Sequence, residues 1–133
     1  FGFPQGDTPL AAVAAEDGGG VIVILFQFPE TYMGKTVGIV GDDRPASDYA
    51  KTLSQVTGQR VEYHHVPREQ FAALGFPGAE DLANMFEFNR TLIPNRRADL
   101  DQSRSLYPAL QTFDAWAAAN ADRLRRVLES QKT

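Results

Sequence analysis

Toward the end of the chain, Phe113, Trp116, Ala117, Asn120, Leu124, Val127 and Leu128 recur at helical spacing, while Asp122, Arg123, Arg125, Arg126 and Glu129 fall mostly off that face. Thr112 stands where an N-cap belongs, so the pattern predicts one long final helix that frays into the polar "ESQKT". A second helical period, Tyr49, Leu53 and Val56, has Pro45 at a first helical position, Asp42 and Asp43 just before it as capping acids, and Gly58 at the C-terminal cap. The β-branched runs on either side, "KTVGIVG" (Lys35–Gly41) and "RVEYHHV" (Arg60–Val66), read as strands. Strand, helix and strand together predict a right-handed crossover between parallel strands.

Leu10 to Ala15 is short, apolar and extended in character. From Val21 onward two readings compete: the β-branched residues 21–24 after three glycines suit a buried strand, and a helix ending before Pro29 has the same apolar content. Gly18 to Gly20 lacks the spacing of a phosphate-binding fingerprint and reads as a close-packed turn before a helix. Beyond Pro67 the chain turns helical up to Gly75, and "FPG" makes a turn with Pro77 and Gly78 in its central positions. The helix that follows carries Glu80 and Asp81 in its first turn and places Leu82, Met85, Phe86 and Asn89 on one face, opposite a polar one. A break at "IPNRRAD" leads to a further helical piece over 99–106.

The chain has 133 residues, which suits a single domain. With 43% hydrophobic and 23% charged residues, it has the composition of a folded globular protein. A formal net charge of −4 offers nucleic acid no broad basic surface, so direct nucleic-acid binding is not expected. The absence of cysteine removes disulfides, thiol nucleophiles and thiolate metal sites, and suits a reducing compartment, with cytoplasm the default. The longest strongly apolar run, "VIVILF", is far short of the ~20 residues a membrane span needs, so no membrane is expected. Phe1 is neither an initiator methionine nor the start of a signal peptide, and the sequence reads as one whose beginning lies upstream.

Few residues invite chemistry. His64 and His65 are neighbours on an expected strand, so they point to opposite faces and cannot grip one metal; one is expected buried and hydrogen-bonded, the other exposed. A catalytic base is the minor alternative. Asp42 and Asp43 lack the further carboxylates a hard cation would need. Arg90, Arg96 and Arg97 beside Asn95 could meet a phosphate or carboxylate, but Asp99 and Asp101 follow and favour a solvated loop. No nucleophile elbow, Walker-type loop or His-Glu-x-x-His helix is present. The segment "LGFPGAEDLANMFEFN" stays open between core helix and pocket wall, since Phe76, Phe86 and Phe88 could form aromatic walls with Asn84 and Asn89 as amides.

The stretches "DTPLAAVAAED", "FPETYMGKTVGIVGDD", "VTGQRVEYHHVPREQFAALGFPGAEDLANMFEFN" and "LYPALQTFDAW" resemble the C-terminal part of the NmrA-like family, an atypical branch of the short-chain dehydrogenase/reductase superfamily. The resemblance runs from about Gly6 to Leu128. It implies an α/β fold with a small parallel sheet and packed helices, the substrate or partner part of a Rossmann-type protein whose N-terminal half holds NADP or NAD. No counterpart of the family's glycine-rich cofactor motif is present, so residues 1–133 are expected to form one domain without bound cofactor. No Tyr-x-x-x-Lys pair carries over either, because Tyr32 and Lys35 are spaced one residue too closely.

The family's helix after Asp-x-Gly, matched here by Asp17-Gly18-Gly19, implies that Gly19 to Phe28 is helical despite its β propensity, with Gly18 and Gly20 weakening the first turn. The resemblance also implies that Phe76, Met85, Phe86 and Asn89 border the cleft of the intact protein, with Leu82 turned inward. It leaves open an NAD(P)H-dependent reductase acting on a small molecule, a redox sensor acting on a regulatory protein partner, or an interaction module that forms a homo-oligomer.

Overall fold

A computed structural model describes residues 1–130. The elements are β1 (Gly2–Phe3), β2 (Leu10–Ala12), α1 (Ala15–Gln27), α2 (Pro29–Tyr32), β3 (Asp42–Arg44), α3 (Ala46–Thr57), β4 (His64–His65), α4 (Arg68–Ala72), α5 (Ala79–Leu92), α6 (Arg97–Leu106), α7 (Phe113–Ala119) and α8 (Ala121–Ser130). The fold is α/β, with a small parallel sheet and packed helices. β1 and β4 pair in parallel, Gly2 opposite His64 and Phe3 opposite His65, while β2 and β3 pair antiparallel with Ala11 opposite Asp43.

The strands are shorter than β propensity predicts, for a specific reason. Lys35–Gly41 forms no ladder: α6 supplies Ser103, whose hydroxyl accepts from Val40 N at 3.0 Å and donates to Gly38 O at 3.1 Å. In the same way, Ser54 of α3 accepts from Val61 N at 2.9 Å and donates to Val61 O at 3.0 Å. A helix hydroxyl thus satisfies backbone groups that a neighbouring strand would otherwise take. Of the expected strand over 60–66 only His64–His65 pairs, and its neighbour is the N-terminal β1. The expected crossover between strands flanking α3 is therefore absent: β3 and β4 belong to different sheets.

α1 is helical, as the family resemblance implies, and begins earlier, at Ala15, with Glu16 and Asp17 in its first turn. The three glycines lie inside this helix rather than in a turn before it. A Cβ on Gly20 would sit 2.6 Å from the Tyr107 ring, so this position lets α1 approach the chain after α6. α3 runs as expected from Ala46, after Pro45, to a C-cap at Gly58 with φ +71°.

The final helix is two helices. Asn120 Nδ2 donates to Trp116 O at 2.9 Å, its backbone N–H is shared between Trp116 O and Ala117 O, and α8 restarts at Ala121. This local amide bond competes with the regular ladder. Ala117 is buried, and α3 packs against both α7 and α8. Val21, Val40, Ala46, Ala50, Ala83 and Leu100 fill much of the remaining core. The end of the expected frayed tail, residues 131–133, lies outside the described residues.

Candidate functional site

The turn before α5 has the geometry its residues dictate. Ala79 N donates to Phe76 O at 3.0 Å, and Gly78, at φ +84°, takes the left-handed corner that a type II turn requires. α5 then buries Ala79 and Ala83. Small residues let the helix lie close on α4 and turn Phe86 inward, where its ring stacks on Phe3 at 4.6 Å and meets Phe71 edge-on at 5.9 Å. Tyr63 completes the cluster 5.0 Å from Phe3 and holds the opening loop, donating to Phe3 O and accepting from Gln5 N and Gly6 N.

The two sides of α5 are thus distinct. Phe86 is a cluster residue, and Phe76, 40% exposed at the helix entry, touches the same cluster through Phe71 at 5.8 Å. Met85 lies on the outer side, 44% exposed, along with Leu82, Leu92 and the half-buried Asn89. Helical spacing of three and four residues joins Leu82, Met85, Asn89 and Leu92 into one stripe, with Phe88 at its edge. Leu82 therefore faces outward, contrary to expectation. Asn84 is engaged by Arg68, whose Nε and Nη2 both donate to its Oδ1.

Neither histidine is buried, which corrects the expectation for one of them. His65 Nδ1 accepts from Gly6 N at 3.1 Å, and His64 Nε2 lies 3.9 Å from Glu62. In the basic group, Arg90 pairs with Glu87 and Arg96 with Asp99, each one helical turn apart. Among the described residues no group of three or more acidic or histidine side chains could hold a metal ion. Nor is any helix among them long and apolar enough to cross a membrane.

Asp42 and Asp43 do not cap α3, whose N-terminus has no side-chain cap. They reach across to the C-terminal elements. Asp42 Oδ2 accepts from Phe113 N at 3.0 Å and pairs with Arg44 at 3.1 Å; Asp43 Oδ2 accepts from Arg96 N at 2.7 Å. The buried Asp17 takes Gln111 N at 2.8 Å in the same manner. Three acids from the first half thereby fix the segments that lead into α6 and α7. Tyr49 lies in this region, its hydroxyl donating to Leu10 O at 2.7 Å; burial, aided by the negative charge of Asp42, pushes it up to about 12.

Beside this network is a cleft of about 300 Å³, lined by Ala12, Val13 and Ala15 together with Phe113, Trp116 and Arg123. Its residues are scattered through the sequence, whose helical pattern marked Phe113 and Trp116 only as part of an apolar face.

The NmrA-like family model matches residues 2–117. The chain belongs to the NmrA-like family. It is 33% identical over 100 residues to NmrA-like family domain-containing protein 1 of Rattus norvegicus, which covers 75% of this chain and 47% of that protein. A mutant NmrA crystal structure is similar with a TM-score of 0.69 and 19% identity, over 96% of this chain and 44% of that one. A nucleoside-diphosphate-sugar epimerase from Staphylococcus aureus has a TM-score of 0.69 and 22% identity, over 89% and 43%. The chain therefore spans less than half the length of these relatives. Proteins of the NmrA-like family are NAD(P)-binding in general, and the likeness to the two solved structures is one of fold.

Proposed function

We propose that this chain is the substrate- or partner-binding portion of an NmrA-like NAD(P)-binding protein, and that the outer stripe of α5 is its working face. Joined to a nucleotide-binding half, it would serve an NAD(P)H-dependent oxidoreductase or a redox-sensing regulator. The observation that carries this reading is the stripe itself: Leu82, Met85 and Leu92 are 38%, 44% and 66% exposed along one side of a helix whose other side is already packed. A contiguous apolar stripe left in water favours something that covers it. Asn89 supplies an amide within the stripe to orient a polar group, and Phe76 and Phe86 give its entry and backing a rigid aromatic frame.

The test is to replace Met85 and Asn89 by alanine in a longer protein that includes the nucleotide-binding half. Weaker substrate or partner binding with NAD(P)H affinity unchanged supports the reading. Unchanged binding of every ligand sinks it.

A second reading has its own support. α1 is apolar nearly all round, and Val23, Phe26 and the nearby Met33 are 55%, 81% and 80% exposed. Such a helix is normally buried, which favours a non-catalytic interaction module or self-association through α1. Gel filtration over a concentration series distinguishes it: a mass that doubles with concentration and reverts in Phe26→Ser supports self-association.

A further inference from the structure

We propose that the cleft beside Trp116 is a binding site for a small planar aromatic acid. It shares no residue with the α5 stripe and does not depend on what covers that stripe. Its volume of about 300 Å³ falls at the small end of ligand pockets. Ala12, Val13 and Ala15 give the lining small apolar surface, and Phe113 and Trp116 contribute two rings with centroids 5.8 Å apart and planes 30° from parallel. Neither ring is fully buried, so aromatic surface faces the cleft. A flat apolar ligand gains by covering it.

The polar groups set the charge of that ligand. Asp42 lies in the lining, but its carboxylate is occupied by Phe113 N, Asp43 N and Arg44. Arg123 is different. Arg44, Arg60, Arg68, Arg90, Arg96 and Arg125 all have acidic partners within 4.0 Å; Arg123, like Arg97, Arg104 and Arg126, has none among the described residues, and of these four it is the one that lines the cleft. Glu16, also in the lining, does not reach it. A guanidinium at the edge of an aromatic cleft, with no protein carboxylate to hold it, is suited to a ligand carboxylate.

Trp116 is the chain's single tryptophan, so its emission reports on the cleft directly. The probes are cinnamate and its uncharged counterpart cinnamyl alcohol, titrated into the chain while the indole emission is followed. We expect a saturable change with cinnamate, about tenfold tighter than with the alcohol, as a charge-assisted hydrogen bond gives. Arg123→Gln, at an exposed position that should not disturb folding, should bring cinnamate to the affinity of the alcohol. Ala12→Leu, which fills the cleft, should abolish both responses. No saturable response to cinnamate overturns the proposal, as does equal affinity for both probes or cinnamate binding that survives Arg123→Gln. Met85→Ala should leave the titration unchanged, so failure of the α5 reading and failure of this one are separate results.

Discussion

Asp42 on β3 accepts the backbone N–H of Phe113, the first residue of α7, at 3.0 Å across a sequence separation of 71 residues. One acid thus caps a distant helix and, through Arg44 at 3.1 Å, ties it to the antiparallel pair. Asp42→Ala should lower unfolding free energy by about 2–3 kcal/mol, the range for a lost charged hydrogen bond at a buried site. Urea melts check this, and Asp42→Asn should recover part of the loss because an amide oxygen still accepts.

The glycines of α1 should respond oppositely to alanine. Nothing lies within 4 Å of a Cβ placed on Gly18 or Gly19, so each change should stabilise by about 0.5–1 kcal/mol through helix propensity. On Gly20 the new methyl meets Tyr107 at 2.6 Å, and the overpacking should exceed that gain, for a net loss of about 1–2 kcal/mol. Thermal melts of the three variants decide the order.

Tyr49 predicts an alkaline limit. Its folded value is raised from 10.0 to about 12, first by burial and then by Asp42, so the unfolded chain ionises before the folded one. The stabilisation is fully present below pH 10 and is lost as pH rises toward 12. Stability measured across that window should fall, and Tyr49→Phe should flatten the decline, at a cost near neutral pH of about 1 kcal/mol for the bond to Leu10 O.

How much of this was legible in the sequence depends on the range of the governing interaction. The cap at Gly58, the Phe76–Ala79 turn and the Thr112 cap, which accepts from Ala115 N at 3.2 Å, follow local rules and stand where those rules put them. Strand pairing does not. Ser54 and Ser103 look like ordinary helix residues, and only the fold brings their hydroxyls to the backbone of Val61, Gly38 and Val40.

The packed face of α5 is hidden from its pattern for a related reason. Its large apolar residues Leu82 and Met85 are exposed, whereas the packed side is built on Ala79 and Ala83, small enough for close approach. The cleft draws on residues from Ala12 to Arg123, and no local pattern could have assembled it.

Phe86 and Met85 are neighbours with different tasks, and alanine should separate them. Phe86→Ala removes a ring that meets both Phe3 and Phe71 and should cost about 2–4 kcal/mol. Met85→Ala, on the exposed side, should change stability by no more than about 0.5 kcal/mol. Denaturant melts of the two variants check the assignment of faces.

The central claim, that the outer stripe of α5 is a substrate- or partner-binding face, is tested most directly in a longer protein that includes a nucleotide-binding half, by calorimetric titration with its substrate or partner and, separately, with NAD(P)H. The account predicts that Met85→Asp together with Leu92→Asp weakens substrate or partner binding at least about tenfold, since a buried unpaired carboxylate costs several kcal/mol, and leaves NAD(P)H affinity unchanged. Equal substrate and partner affinity with and without the two aspartates would contradict it.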